Sequence, residues 1–132
     1  EGIELHAPLA PNINDKGTGF GGALAAQMIL AGWALPRLLL RRAGVMADLV
    51  IGRCEVRFLS PVTTEFSVRC AWPEPALRAK FVEQVRCRGR AKLELAPECM
   101  AGDAVAATLS ARYAALGRGD DTAEPVERPG AR

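Results

Sequence analysis

The residues of this chain best suited to chemistry lie in one run, Asn14-Asp15-Lys16-Gly17-Thr18-Gly19-Phe20-Gly21-Gly22. An almost continuously apolar stretch, Gly19 to Leu40, overlaps and extends it. Such a stretch reads as a helix opening near Phe20 or Gly21. Glycines at a helix start let a ligand approach the backbone closely. The first turn also presents unpaired N–H groups and a partial positive charge. Together these suit a carbonyl oxygen that gathers negative charge. The Asn14 amide, just upstream, is a further candidate donor. The plainer reading of the same residues is a capped turn, with Thr18 or Asp15 closing the helix.

The other candidates divide in the same way. Asp15 is a possible base, or a turn-former. Asn12 and Thr18 are candidates for contact with a ligand. Phe20, Gly21, Gly22, Leu24 and Met28 would line an apolar pocket, and Gln27 is the polar residue nearest to them on the helix. His6 precedes the run and is not expected to act. Cys54, Cys70, Cys87 and Cys99 include no Cys-x-x-Cys pair, and the chain has one histidine. No zinc site, and no other cofactor, is therefore expected. The cysteines read as thiols in a reducing, cytoplasmic setting, with Cys54 and Cys70 inward on neighbouring strands.

Several elements must position these residues. Ile3 to Ala7 reads as a first strand and residues 7–18 as a loop rich in Pro, Asn and Gly. The helix is expected to run to about Arg42, stop at Gly44, and kink or break at Pro36, which cannot donate to the Gly32 carbonyl. Val50, Gly52, Cys54, Val56 and Phe58 alternate with Arg53, Glu55 and Arg57. Phe66, Val68, Cys70 and Trp72 alternate with Glu65, Ser67 and Arg69. The two patterns predict a half-buried antiparallel pair. Leu77, Phe81 and Val85 mark a short helix ending near Gly89. Ala91, Leu93 and Leu95 face inward on a further strand. Gly102-Asp103 turns into a last strand, Ala104 to Leu116. The expected domain is residues 1–116, with 117–132 a disordered charged tail.

Bulk properties exclude other classes. With 132 residues, 49% of them hydrophobic, the chain builds one domain with a real core. A net charge of +2 and 5% aromatic content argue against a nucleic-acid surface. Gly19 to Leu40 is long enough to span a bilayer, yet Gln27, Pro36 and Arg37 interrupt it. It reads better as a buried helix, and no membrane span is expected. One curved sheet cannot cover such a helix on all sides. A second copy of the sheet is the simplest cover, so a symmetric homodimer is expected.

Residues 7 to 24, then Ala31-Gly32-Trp33, resemble the hotdog family of thioesterase-like domains, some of which follow an N-acetyltransferase domain. Val56-Arg57-Phe58-Leu59-Ser60-Pro61-Val62, Gly89-Arg90-Ala91-Lys92-Leu93 and Ala111-Arg112-Tyr113 resemble its later strands. Pro36 departs from the family pattern. The resemblance implies an α+β hotdog fold, a long central helix wrapped by an antiparallel β-sheet, homodimeric, acting on an acyl thioester of coenzyme A or acyl carrier protein. Many hotdog thioesterases carry Asn-x-x-Gly-x-x-His-Gly-Gly and a carboxylate two turns into the helix. Here Asn14, Gly17, Gly21 and Gly22 match, Phe20 replaces the histidine, and Ile29 stands at the acid position. Hydrolysis needs a base or nucleophile that this pattern lacks. Decarboxylation of a malonyl thioester needs only oxyanion donors and a poorly solvated pocket. Some relatives resemble malonyl-acyl carrier protein decarboxylases of fatty-acid initiation, and that activity is the expectation. Thioester hydrolysis and a non-catalytic acyl-binding module remain the alternatives. Arg37, Arg41, Arg42, Arg86, Arg88, Arg90 and Lys92 could attract either anionic carrier.

Overall fold

The structure, a computed structural model, describes residues 1–118. Six strands and two helices follow one another as β1 (Gly2–Ala7), α1 (Gly21–Arg42), β2 (Ala47–Phe58), β3 (Phe66–Ala71), α2 (Pro75–Arg88), β4 (Arg90–Leu95), β5 (Glu98–Ala101) and β6 (Ala104–Gly117). All strand pairs are antiparallel, in the order β1-β3-β5-β6-β2, with β4 also pairing to β6. β6 is therefore the spine. β2 lies along one of its edges, and β5 and β4 share the other.

α1 crosses one face of this sheet. Leu24, Met28, Ala31, Leu35 and Leu40 are buried, and they share a core with Val68, Cys70, Leu109 and Tyr113. By length and composition α1 could also cross a membrane, but this face is packed against strands. Its other side is less covered, with Leu30 at 52% and Trp33 at 37% exposure. The helix ends as its sequence predicts, with Ala43 after Arg42 and Gly44 at φ 68°. It runs through Pro36 without the expected break. Tyr113 packs against Gly32 and donates its hydroxyl to the Ile29 carbonyl at 2.7 Å, so the turn before the proline is held from the sheet side.

The strand pairing differs from the expectation. β2 pairs with β6, not with β3, and Cys54 is exposed while Cys70 is buried. The expected face of β2 is also only half right. The register shifts between Ile51 and Arg53, so Gly52 is an extra residue. After it Cys54, Val56 and Phe58 stand opposite the inward residues Ala111, Leu109 and Ala107. Before it Ala47, Leu49 and Ile51, not Val50, stand opposite β6 residues of that face. The bulge is what changes the phase, and simple alternation cannot see it.

β3 buries Phe66, Val68 and Cys70, and β4 buries Ala91, Leu93 and Leu95, as their patterns predict. Trp72, just past β3, is only partly buried and lies under the guanidinium groups of Arg42 and Arg78. α2 buries Phe81 and Val85 and ends at Gly89 with φ 74°, but Leu77 is exposed. β5 was not foreseen. Its four residues are too few for a periodic signal, and its pairing with β6 carries a second register shift. β6 runs through Gly117, one residue past the expected domain end. The expected tail lies, from residue 119, outside the described residues.

Candidate active site

The loop before α1 closes on itself around Asn14. Its backbone N–H donates to the Thr18 carbonyl at 2.8 Å, and Ile13 bridges to Gly19. Its side-chain oxygen accepts from the N–H groups of Lys16 at 2.9 Å and Thr18 at 3.1 Å. Gly17 makes this turn possible with φ 75°, a region that favours glycine. Two accepted N–H bonds fix which way the amide points, so its nitrogen faces Thr18 and donates to Oγ1 at 2.8 Å. One amide hydrogen of Asn14 remains. The Thr18 hydroxyl, acting as acceptor, keeps its own hydrogen to donate.

Gly19 N–H donates to the Val62 carbonyl at 2.7 Å and Phe20 N–H to the Asn12 carbonyl at 2.6 Å. These bonds tie the loop to the segment after β2 and set the entry into α1. The helix has no side-chain cap, so the capping expected of Thr18 or Asp15 does not form. The N–H groups of Gly21, Gly22 and Ala23 find no acceptor among the described residues. They are the unpaired, partly positive end of a 22-residue helix.

Asn14, Thr18, Gly21 and Leu24 line one cleft of about 390 Å³ with Lys16, Gly19, Phe58, Leu59, Ser60, Pro61 and Val62. Of the residues expected at the site, these four come together. Asp15 is exposed and does not line the cleft. Asn12 sits behind the loop, donating to the Pro8 carbonyl at 2.8 Å and accepting a long 3.4 Å contact from Gln27. Met28 is fully buried beneath the sheet. Phe20 is 55% exposed, and its ring lies so close to Gly22 that a methyl group there would approach it to 2.7 Å. Phe58 occupies the matching place on the other side, 3.1 Å from a methyl built at Gly21. The two glycines thus admit two aromatic rings against the helix start. Lys16, Phe58 and Ser60 were missed as site residues. In the sequence Phe58 belongs to an alternating set and to a segment resembling a family strand, and nothing in its own neighbourhood says that β2 ends beside Gly21.

The lining contains no histidine and no carboxylate. His6, on β1, does not line the cleft and lies beside Glu4 at 3.5 Å. The buried thiols are poor nucleophiles. Burial pushes Cys70 up to about 11, and burial likewise raises Cys99. The Cys87 thiol is raised chiefly by its hydrogen bond to Glu83. Burial also raises the Tyr113 hydroxyl, which stays a neutral donor. Among the described residues no cluster of three metal-ligating side chains occurs. The site therefore offers hydrogen-bond donors and apolar walls. A general base is missing from it.

Residues 1–117 match the family described as "Putative thioesterase (yiiD_Cterm)". The chain belongs to this family. A solved Shewanella oneidensis protein with the same thioesterase description is 31% identical, with TM-score 0.75 over 86% of this chain and 76% of that one. A protein of unknown function from Chlorobaculum tepidum TLS gives TM-score 0.82 at 26% identity, over 87% and 76%. A Thermus thermophilus thioesterase solved with coenzyme A and zinc shares the fold alone, at 17% identity and TM-score 0.56 over 89% and 80%. No curated protein matches the sequence. This family member is a hotdog domain, with the long helix and antiparallel sheet of that fold, and its chemistry is on acyl thioesters.

Proposed function

We propose that this family member decarboxylates a malonyl thioester mounted on acyl carrier protein, releasing the acetyl thioester in a cytoplasmic initiation step of fatty-acid synthesis. The observation that carries the reading is a cleft rich in donors and empty of bases. The thioester oxygen would lie against the N–H groups of Gly21 and Gly22 and the free hydrogens of Asn14 and Thr18. The bond from the α-carbon to the carboxylate breaks, and its electron pair moves into the enolate spread onto that oxygen. Carbon dioxide leaves, and solvent protonates the α-carbon. The carbon–sulfur bond stays intact throughout. Phe58 and Leu24 supply an apolar wall where the carboxylate departs. Lys16, at the rim, gives the incoming carboxylate a cation to approach.

The working unit in this reading is a homodimer. β2 is a 12-residue edge strand with one side unpaired, and Val50, Ile51, Phe58 and Leu59 are exposed along it or just beyond. Antiparallel pairing of two such edges would remove both.

Incubation with malonyl-acyl carrier protein tests the chemistry. Acetyl-carrier protein and carbon dioxide are expected, with no free carrier thiol. Free thiol would replace this reading with hydrolysis, which the family description favours and in which Asp15 serves as base. Acyl binding without any turnover would leave a non-catalytic module. The Thermus thermophilus relative's coenzyme A makes a coenzyme A thioester the second carrier to try.

A further inference from the structure

Three cations gather at the end of the sheet opposite Phe58. Arg88 closes α2, and Arg90 and Lys92 are alternate exposed residues of β4. With Gln84, Ala114 and Leu116 they line a cleft of about 710 Å³. None of the three has an ion-pair partner among the described residues. Among the described residues the neighbouring carboxylates are taken. Glu94, the next exposed residue of β4, holds Arg112 at 2.7 Å. Asp48, opposite Leu116, holds Arg118 at 2.8 Å. Glu83 holds Arg86 at 3.5 Å and accepts from the Cys87 thiol at 2.8 Å. The Arg86 guanidinium also donates to the Ala43 carbonyl at 3.2 Å, on the side of α2 that faces the end of α1.

A helix C-terminus favours a cation, which accounts for Arg88. It does not account for Arg90 and Lys92, which stand on a strand. Like charges held side by side repel, and a seated anion reverses the sign of that interaction. The lining has no aromatic ring on which a nucleobase could stack, and its floor is small and open. That shape admits the acidic face of a protein helix better than a nucleotide. We propose that this cleft docks an acidic protein, the carrier on which the thioester is mounted; the inference rests on the functional reading above. Phe58 pairs with Ala107, and Leu116 lies nine residues further along β6, roughly 30 Å away at strand rise. In the antiparallel dimer, Phe58 of one protomer comes alongside the Ala47 end of its partner's β2. That is the end of the sheet bearing this cleft, so a docked carrier serves the opposite protomer.

The test measures binding of labelled holo-acyl carrier protein to the whole chain by fluorescence anisotropy. The double variant R90E/K92E is expected to bind about tenfold more weakly, and wild-type binding to weaken steeply with added salt. The holo carrier bears no acyl group, so this readout stands even where no decarboxylation occurs. Equal affinities for variant and wild type overturn the proposal. So does adenosine 3′,5′-bisphosphate binding that is lost in the variant while carrier binding is not, which would assign the cleft to a nucleotide. Should R90E/K92E fail to fold, R90Q/K92Q carries the same comparison, with a loss of about threefold expected and equal affinity again overturning it.

Discussion

Asn14 has two separable jobs, because its oxygen and its nitrogen do different things. The oxygen closes the loop by accepting from Lys16 and Thr18, and the nitrogen supplies a donor to the cleft. Asn14→Asp keeps the acceptor and removes the donor. It also places negative charge where the enolate forms. Turnover is therefore expected to fall about 10²- to 10³-fold with the thermal midpoint nearly unchanged. A wild-type rate in that variant would remove Asn14 from the mechanism. Gly32 is a second residue whose type follows from one neighbour. A methyl group there would collide with the Tyr113 hydroxyl and lie 2.9 Å from its ring. Gly32→Ala is expected to cost about 1–3 kcal/mol by urea denaturation. Adding Tyr113→Phe removes the nearest clashing atom and should recover part of that loss, although it also gives up the bond to Ile29. Simple additivity of the two losses would contradict this account.

At the level of elements, the bulge in β2 carries the greatest consequence. Gly52 lets Ala47, Leu49 and Ile51 share a face with Cys54, Val56 and Phe58. Deleting Gly52 removes only that extra residue and leaves Ala47, Leu49, Ile51, Cys54, Val56 and Phe58 in simple alternation on the same face. The expected change is therefore small, about 1 kcal/mol or less, seen as a nearly unchanged urea midpoint. A drop of several kcal/mol would mean that the bend and twist of the bulge are themselves needed for packing. The same bulge marks the limit of what could be read from residue order. α1 was legible from Phe20 to Gly44 because an almost unbroken apolar run, with glycines at its start and at Gly44, signals it locally. β4 and β6 were legible because they alternate without interruption. β2 was legible as a strand, but its partner and half its face were not, because register depends on a distant chain segment. The site followed suit. Asn14, Thr18 and Gly21 were legible since one loop holds them, while Phe58 and Ser60 arrive from another element. The Asn14–Thr18 bond also overrode the local preference of Thr18 for capping.

The whole molecule leaves apolar surface on one side only partly covered. Leu30 and Trp33 on α1 and Ile51 and Phe58 on β2 are all more than a third exposed, and β2 has an unpaired edge. A dispersed handful of exposed apolar residues needs no explanation, but here they flank the helix and the strand that frame the cleft. Covering them with a second copy would also close the open side of Phe20 and Phe58, and so dry the place where the carboxylate leaves. Assembly and turnover should then fail together. The double variant Leu30→Glu/Trp33→Glu puts two charges on the exposed side of α1 and leaves its buried face intact. It is expected to elute with the mass of one chain in light scattering, against twice that mass for wild type. Its far-ultraviolet circular dichroism should be retained and its decarboxylation lost. A monomeric variant that still turns over malonyl-carrier protein at the normal rate would show that one protomer holds a complete site. A wild type that is itself monomeric would make the exposed strip serve something other than self-association.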